Sequence, residues 1–176
     1  MSGRLRHVRT LLFLLLAVNA VLYATTGRLS EALDAFAWYL LLALFELETR
    51  CPHWSRRPRV ATALDLLRLL AAAVVAVAAA VFLGEGECLD ATNALLWIGV
   101  VIVLELEVRL SAAAARHRRL VTGASFALYA ALVAVALIWL LRGEWLDGYD
   151  ALLWIAAFAL IEMDLLRIAS TREGNS

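Results

Sequence analysis

Three stretches decide the fold when aligned on their tryptophans: EALDAFAWYLLLALFELETR (31–50), DATNALLWIGVVIVLELEVR (90–109) and DGYDALLWIAAFALIEMDLLR (147–167). They superpose without a gap over about twenty residues, a match that shared hydrophobicity alone does not explain. Seven residues before Trp38, Trp97 and Trp154 stand Glu31, Asp90 and Asp147. Four before stand Asp34, Asn93 and Asp150, and three before stand Ala35, Ala94 and Ala151. Eight after come Glu46, Glu105 and Glu162, and ten after come Glu48, Glu107 and Asp164. Arg50, Arg109 and Arg167 close the copies, the third displaced by one residue.

Each copy follows an equally apolar stretch, so the repeated unit is a helical hairpin and the chain carries it three times, over residues 8–50, 60–110 and 118–168. The 176 residues are 64% hydrophobic and 18% charged, with a mean hydropathy of +0.81, a composition that points to lipid as the solvent. A helix needs ~20 mostly apolar residues to span the hydrocarbon, because no water is there to satisfy its backbone. Six segments qualify, at 8–26, 31–49, 60–83, 89–110, 120–141 and 146–168. The expected fold is an all-α integral membrane protein, a single transmembrane domain of six helices in a pseudo-threefold bundle. Short connections make consecutive helices antiparallel neighbours.

A formal net charge of zero conceals an asymmetry. All sixteen basic residues are arginine. Arg4, Arg6 and Arg9 precede the first span, while Arg50, Arg56, Arg57 and Arg59 follow the second. Arg109, Arg116, Arg118 and Arg119 follow the fourth, and Arg167 and Arg172 follow the sixth. The opposite loops contain Glu85, Glu87, Glu144 and Asp147, with Arg28 and Arg142 their basic residues. Positive charge stays inside, so both termini are expected in the cytoplasm. The stretch 6–24 also has the shape of a signal peptide, but removing it would break the first hairpin, so it is expected to be retained. The lysine-free, Ala/Leu/Arg-rich composition suits a GC-rich bacterial genome and hence the bacterial inner membrane.

The outer acids lie at i and i+3 with each tryptophan at i+7, on one face near the outer end of each even-numbered helix. An acid in a first turn suits the helix dipole, and tryptophan suits the membrane interface. Trp38, Trp97 and Trp154 are therefore expected as interface anchors.

The inner acids Glu46, Glu105, Glu162, Glu48, Glu107 and Asp164 stand in last turns, where the dipole disfavours carboxylates and something must compensate. One solution is a structural ring of ion pairs, Glu46 with Arg50, Glu105 with Arg109, the third acid beside Arg167, and Asp65 with Arg68 at similar depth. Glu46 and Glu48 differ by about 200° around their helix and cannot serve the same arginine. The other solution turns Glu46, Glu105 and Glu162 inward as a ring able to hold a cation or relay a proton.

Asn19-Ala20-Val21-Leu22, Leu44-Phe45-Glu46-Leu47-Glu48-Thr49-Arg50 and Asp65 resemble the first three helices of ion-channel voltage-sensor domains over about a third of the chain. The resemblance implies a cluster of Glu46 with Asp65 that stabilises mobile arginines and guides protons. No helix here carries arginine at every third position, so the resemblance does not extend to the charge-carrying helix.

Remaining residues are plainer. Alanine runs at 71–73 and 78–80 and Gly123-Ala124-Ser125 allow close helix packing. Cys51 and Cys88 fall on opposite sides and cannot form a disulfide within one chain. His7, His53 and His117 sit among cytoplasmic arginines, and Cys51-Pro52-His53 is too short to make a metal site. No metalloprotease, hydrolase or phosphate-loop motif occurs. The sequence therefore predicts a non-enzymatic, cofactor-free protein whose partners are the lipid bilayer and other membrane subunits or further copies of itself, without nucleic acid. It would serve as an accessory or assembly subunit or a self-assembling scaffold, the alternative being a small proton or cation channel or transporter built on the inner carboxylates.

Overall fold

In a computed structural model the described residues are all-α and form six helices: α1 (Gly3–Thr26), α2 (Leu29–Arg50), α3 (Pro58–Glu85), α4 (Cys88–Arg109), α5 (Arg118–Arg142) and α6 (Trp145–Glu173). The structure describes residues 3–51, 53, 57–109 and 117–173, with side chains at 7–48, 50–51, 53, 57–104, 106 and 117–160. It divides into two compact units, Ala17–Leu95 in one and Met1–Leu16 with Leu96–Ser176 in the other.

Within the first unit α2 packs on α3. The end of α3 meets the start of α4 through Ala78, Ala79 and Phe82 against Ala91 and Ala94. Within the second unit α5 packs on α6. Alanine recurs at these contacts because a small side chain lets two helix backbones approach closely.

Helices α3 and α5 end alike, for a reason visible in the backbone. Gly86 and Gly143 take φ of 81° and 83°, a left-handed conformation that disfavours any Cβ. Gly86 N–H donates to Leu83 O (3.3 Å) and Glu87 N–H to Phe82 O (2.9 Å); Gly143 N–H donates to Leu140 O (3.2 Å) and Glu144 N–H to Trp139 O (2.9 Å). This paired pattern satisfies carbonyls that the helix end would otherwise orphan. Both glycines stand eleven residues before a repeat tryptophan, and so does Gly27. At Gly27 the constraint is crowding: a Cβ would lie 2.5 Å from Glu31 Oε2 and 2.8 Å from Tyr23 O. The turn is thus part of the repeat. Gly143→Ala is expected to cost about 1 kcal/mol, read as a lower thermal midpoint of the purified protein.

Three helical segments, His7–Thr26, Pro58–Glu85 and Arg118–Arg142, are long and apolar enough to cross a membrane, and Cys88–Leu104 is a shorter apolar helix. The expectation of six spans is thus met by length and composition in the odd-numbered helices; α4 and α6 carry side chains that lie outside the described residues, and α2 falls short for a physical reason. No 18-residue window of α2 holds fewer than three charged residues, because Glu31 and Asp34 crowd one end and Glu46, Glu48 and Arg50 the other. The apolar helices also present their side chains outward. Leu11, Leu14, Val18 and Val21 form an exposed stripe on α1, as Leu66, Leu69, Leu70 and Val77 do on α3. In water such faces would be a liability; against lipid they are the ordinary surface. The protein is a helical, multi-pass membrane protein by these features.

The repeat tryptophans pack against neighbouring side chains. Trp38, Trp97 and Trp154 are 8%, 4% and 7% exposed and belong to the core. Trp97 lies edge-on to Trp154 with ring centroids 6.4 Å apart, and Phe158 packs on both, 4.8 Å and 6.3 Å away. Two copies of the repeat therefore meet through the residue that defines it. Aromatic pairs in this geometry add about 0.5–1.5 kcal/mol beyond their buried area.

Candidate functional site

The most concentrated charge among the described residues lies where the α1–α2 turn meets the α3–α4 turn, and Arg28 is its centre. Arg28 precedes the first residue of α2, which brings its backbone N–H within 2.9 Å of Glu31 Oε2, three residues on. That carboxylate caps the helix N-terminus, as an acid in the first turn should. The guanidinium then spreads over four acids. Nε donates to Glu31 Oε1 (2.7 Å), Nη1 to Glu87 Oε1 (2.6 Å) and Nη2 to Asp90 Oδ2 (3.1 Å). Glu85 Oε2 stands 3.5 Å from Nη1 and accepts from Ser30 Oγ at 3.1 Å. A planar fork of five N–H donors is the one side chain able to serve so many oxygens at once.

Partial burial alone would lower the Arg28 pKa; the hydrogen bonds and charges of Glu31 and then Glu87 outweigh it and raise the pKa above its ordinary value. Arg28 therefore keeps its charge, against four formal negative charges. The cluster fastens the start of α2 to the end of α3 and the start of α4. The Arg28 side chain is 40% exposed, so each pair is worth less than a buried one, and the network matters more than any member.

Glu31 and Asp90 are legible in sequence as outer acids, but their convergence on Arg28 is not. The available signal was a charge reversal. Ten residues before the tryptophan, the second and third copies carry Glu87 and Glu144, and the first carries Arg28.

At the other end of α2 the inner acids are held by arginines. Arg50 Nε donates to Glu46 Oε1 one turn earlier. Arg68 on α3 bridges two acids, donating to Glu48 Oε1 at 2.5 Å and to Asp65 Oδ1 at 3.1 Å. Glu46 and Glu48 thus take different arginines. Glu48 shares Arg68 with Asp65, while Glu46 meets Arg50 along its own helix. The side chains of Glu105, Glu107, Arg109, Glu162, Asp164 and Arg167 lie outside the described residues, so the threefold ring remains an expectation from sequence.

Cys51 and Cys88 are free and exposed. Among the described residues no group of three or more His, Cys, Asp or Glu side chains is arranged to hold a metal ion. No family model, curated protein or solved structure matches the chain.

Proposed function

We propose that the chain crosses the bacterial inner membrane six times with both termini in the cytoplasm, and serves as a non-enzymatic accessory or assembly subunit, or a self-assembling scaffold, of a membrane complex. One observation carries this reading: seven acids at the two ends of α2 and in the neighbouring turns and helix are held by three arginines. Glu46 is engaged by Arg50, Glu48 and Asp65 by Arg68, and Glu31, Glu85, Glu87 and Asp90 by Arg28. Charges used in this way lock helices together, and a permeating ion would have to displace arginines to use the same oxygens. The arginine asymmetry supports the orientation. The even-numbered helices, with acids at both ends and an uncharged middle such as 35–45, would cross as members of a bundle whose polar ends reach the headgroups.

The channel reading retains one favourable feature, the recurrence of Glu46 as Glu105 and Glu162. Proton and cation flux into liposomes separates the two. Wild-type vesicles are expected to leak no faster than empty ones. Flux in the wild type that disappears when Glu46, Glu105 and Glu162 are all changed to glutamine would replace the scaffold reading with a carboxylate permeation site.

A further inference from the structure

A shallow, open hollow of about 850 Å³ runs along the exposed face of the start of α5, lined by His117, Arg118, Arg119, Leu120, Thr122, Gly123 and Phe126. We propose that it binds an anionic phospholipid, the headgroup phosphate on the basic residues and the upper part of one acyl chain along Gly123 and Phe126. The proposal rests on the bilayer reading above and adds to it a specific ligand.

Three observations converge on that chemistry. Two guanidinium groups stand side by side at the start of α5, and unlike Arg28, Arg50 and Arg68 neither Arg118 nor Arg119 meets a carboxylate among the described residues. A phosphate diester offers oxygens in the bidentate geometry that a guanidinium favours. The hollow then changes character along the helix. Arg119, Thr122, Gly123 and Phe126 fall on one face at i, i+3, i+4 and i+7, and the seven steps from Arg119 to Phe126 rise ~10 Å, the drop from the phosphate level to the upper acyl chains. Leu120 and Phe126 are 72% and 76% exposed, apolar walls that water would not favour and an alkyl chain would. Lastly, there is room. A Cβ at Gly123 would find nothing within 4 Å, so the face the chain would lie on is open. A soluble anion would use the arginines and leave the apolar half of the hollow bare; a phospholipid uses both.

The full-length protein, extracted in mild detergent and incubated with equal amounts of phosphatidylglycerol and phosphatidylcholine, provides the test, with bound lipid counted by native mass spectrometry. Phosphatidylglycerol is expected to be retained several-fold over phosphatidylcholine and to resist excess inorganic phosphate. Arg118→Gln with Arg119→Gln is expected to abolish the preference. Gly123→Leu, which leaves every charge in place, is expected to reduce retention by filling the hollow. Equal retention of the two lipids, displacement by inorganic phosphate, or unchanged retention in both variants overturns the proposal. Alkaline carbonate extraction of membranes separates the two levels: release of the protein defeats the bilayer reading itself, whereas an integral protein without lipid preference defeats this inference alone.

Discussion

Arg28→Gln is expected to lower the stability of the purified protein by about 2 kcal/mol, the scale of a charged hydrogen-bond network reduced for its partial exposure. Removing the guanidinium does more than delete attractions. It leaves Glu31, Glu87 and Asp90, which had been drawn to within 2.6–3.1 Å of one cation, facing each other uncompensated. Like charges at that spacing repel, so the two turns should part and the start of α4 should loosen from α3. In a chain of this length the change corresponds to a fall in thermal midpoint of roughly 4–8 °C. Arg28→Lys is expected to fall between wild type and Arg28→Gln, since lysine keeps the charge and loses the fork. The informative variant is the double one. Adding Glu87→Gln to Arg28→Gln removes one of the repelling carboxylates and should recover part of the loss, whereas two independent surface residues would simply add. An Arg28→Gln protein that melts like wild type would show that the cluster is not what joins the turns.

Gly148→Leu is expected to be at least as damaging, through packing. Gly148 opens α6 against the end of α5, where a Cβ would stand 2.7 Å from Leu140 Cγ and Cδ2 and 3.2 Å from the backbone oxygen of Ala136, itself wholly buried. The Leu140 side chain can yield a little, but the α5 backbone behind it cannot. Gly148→Ala should therefore be mild, its crowding offset by alanine's better helix propensity, worth about 1 kcal/mol. Leucine brings three further carbons into a space with none to spare, and the expected cost is about 3 kcal/mol. The same position is Ala32 in the first copy and Ala91 in the second, both buried, so small size six residues before the tryptophan is a requirement of the repeat. Unfolding monitored by circular dichroism in detergent would measure both variants. Equal stability of leucine and glycine at 148 would mean that α5 and α6 are not in close contact there.

The helices were legible in the sequence to within a few residues over most of their length, and the reason is the repeat. Sequence reading places the third span at 60–83 and the structure places α3 at Pro58–Glu85; it places the fifth at 120–141 and the structure places α5 at Arg118–Arg142. Pro58 at the start of α3 and the glycines after α3 and α5 mark those boundaries by backbone chemistry alone. The tryptophans show the opposite case. An indole suits an interface and a packed core equally, and only the neighbours decide; here Phe158 and a second tryptophan cover Trp97. The ion pairs divide in the same way. Glu46 with Arg50 and Asp65 with Arg68 are local to one helix and follow from spacing. Arg28 with Glu87 joins two turns and Arg68 with Glu48 joins two helices, and sequence spacing does not say which of these meet.

The most direct test of the central claim, a multi-pass membrane protein with cytoplasmic termini, uses the two cysteines already present. Cys51 follows α2 and Cys88 opens α4, both exposed, and a single crossing by α3 would separate them. Cells expressing Cys51→Ser or Cys88→Ser variants would be treated with a membrane-impermeant maleimide before and after permeabilisation of the inner membrane. The account predicts that Cys88 reacts from outside in intact cells and that Cys51 reacts only after permeabilisation; labelling of both from the same side would contradict it.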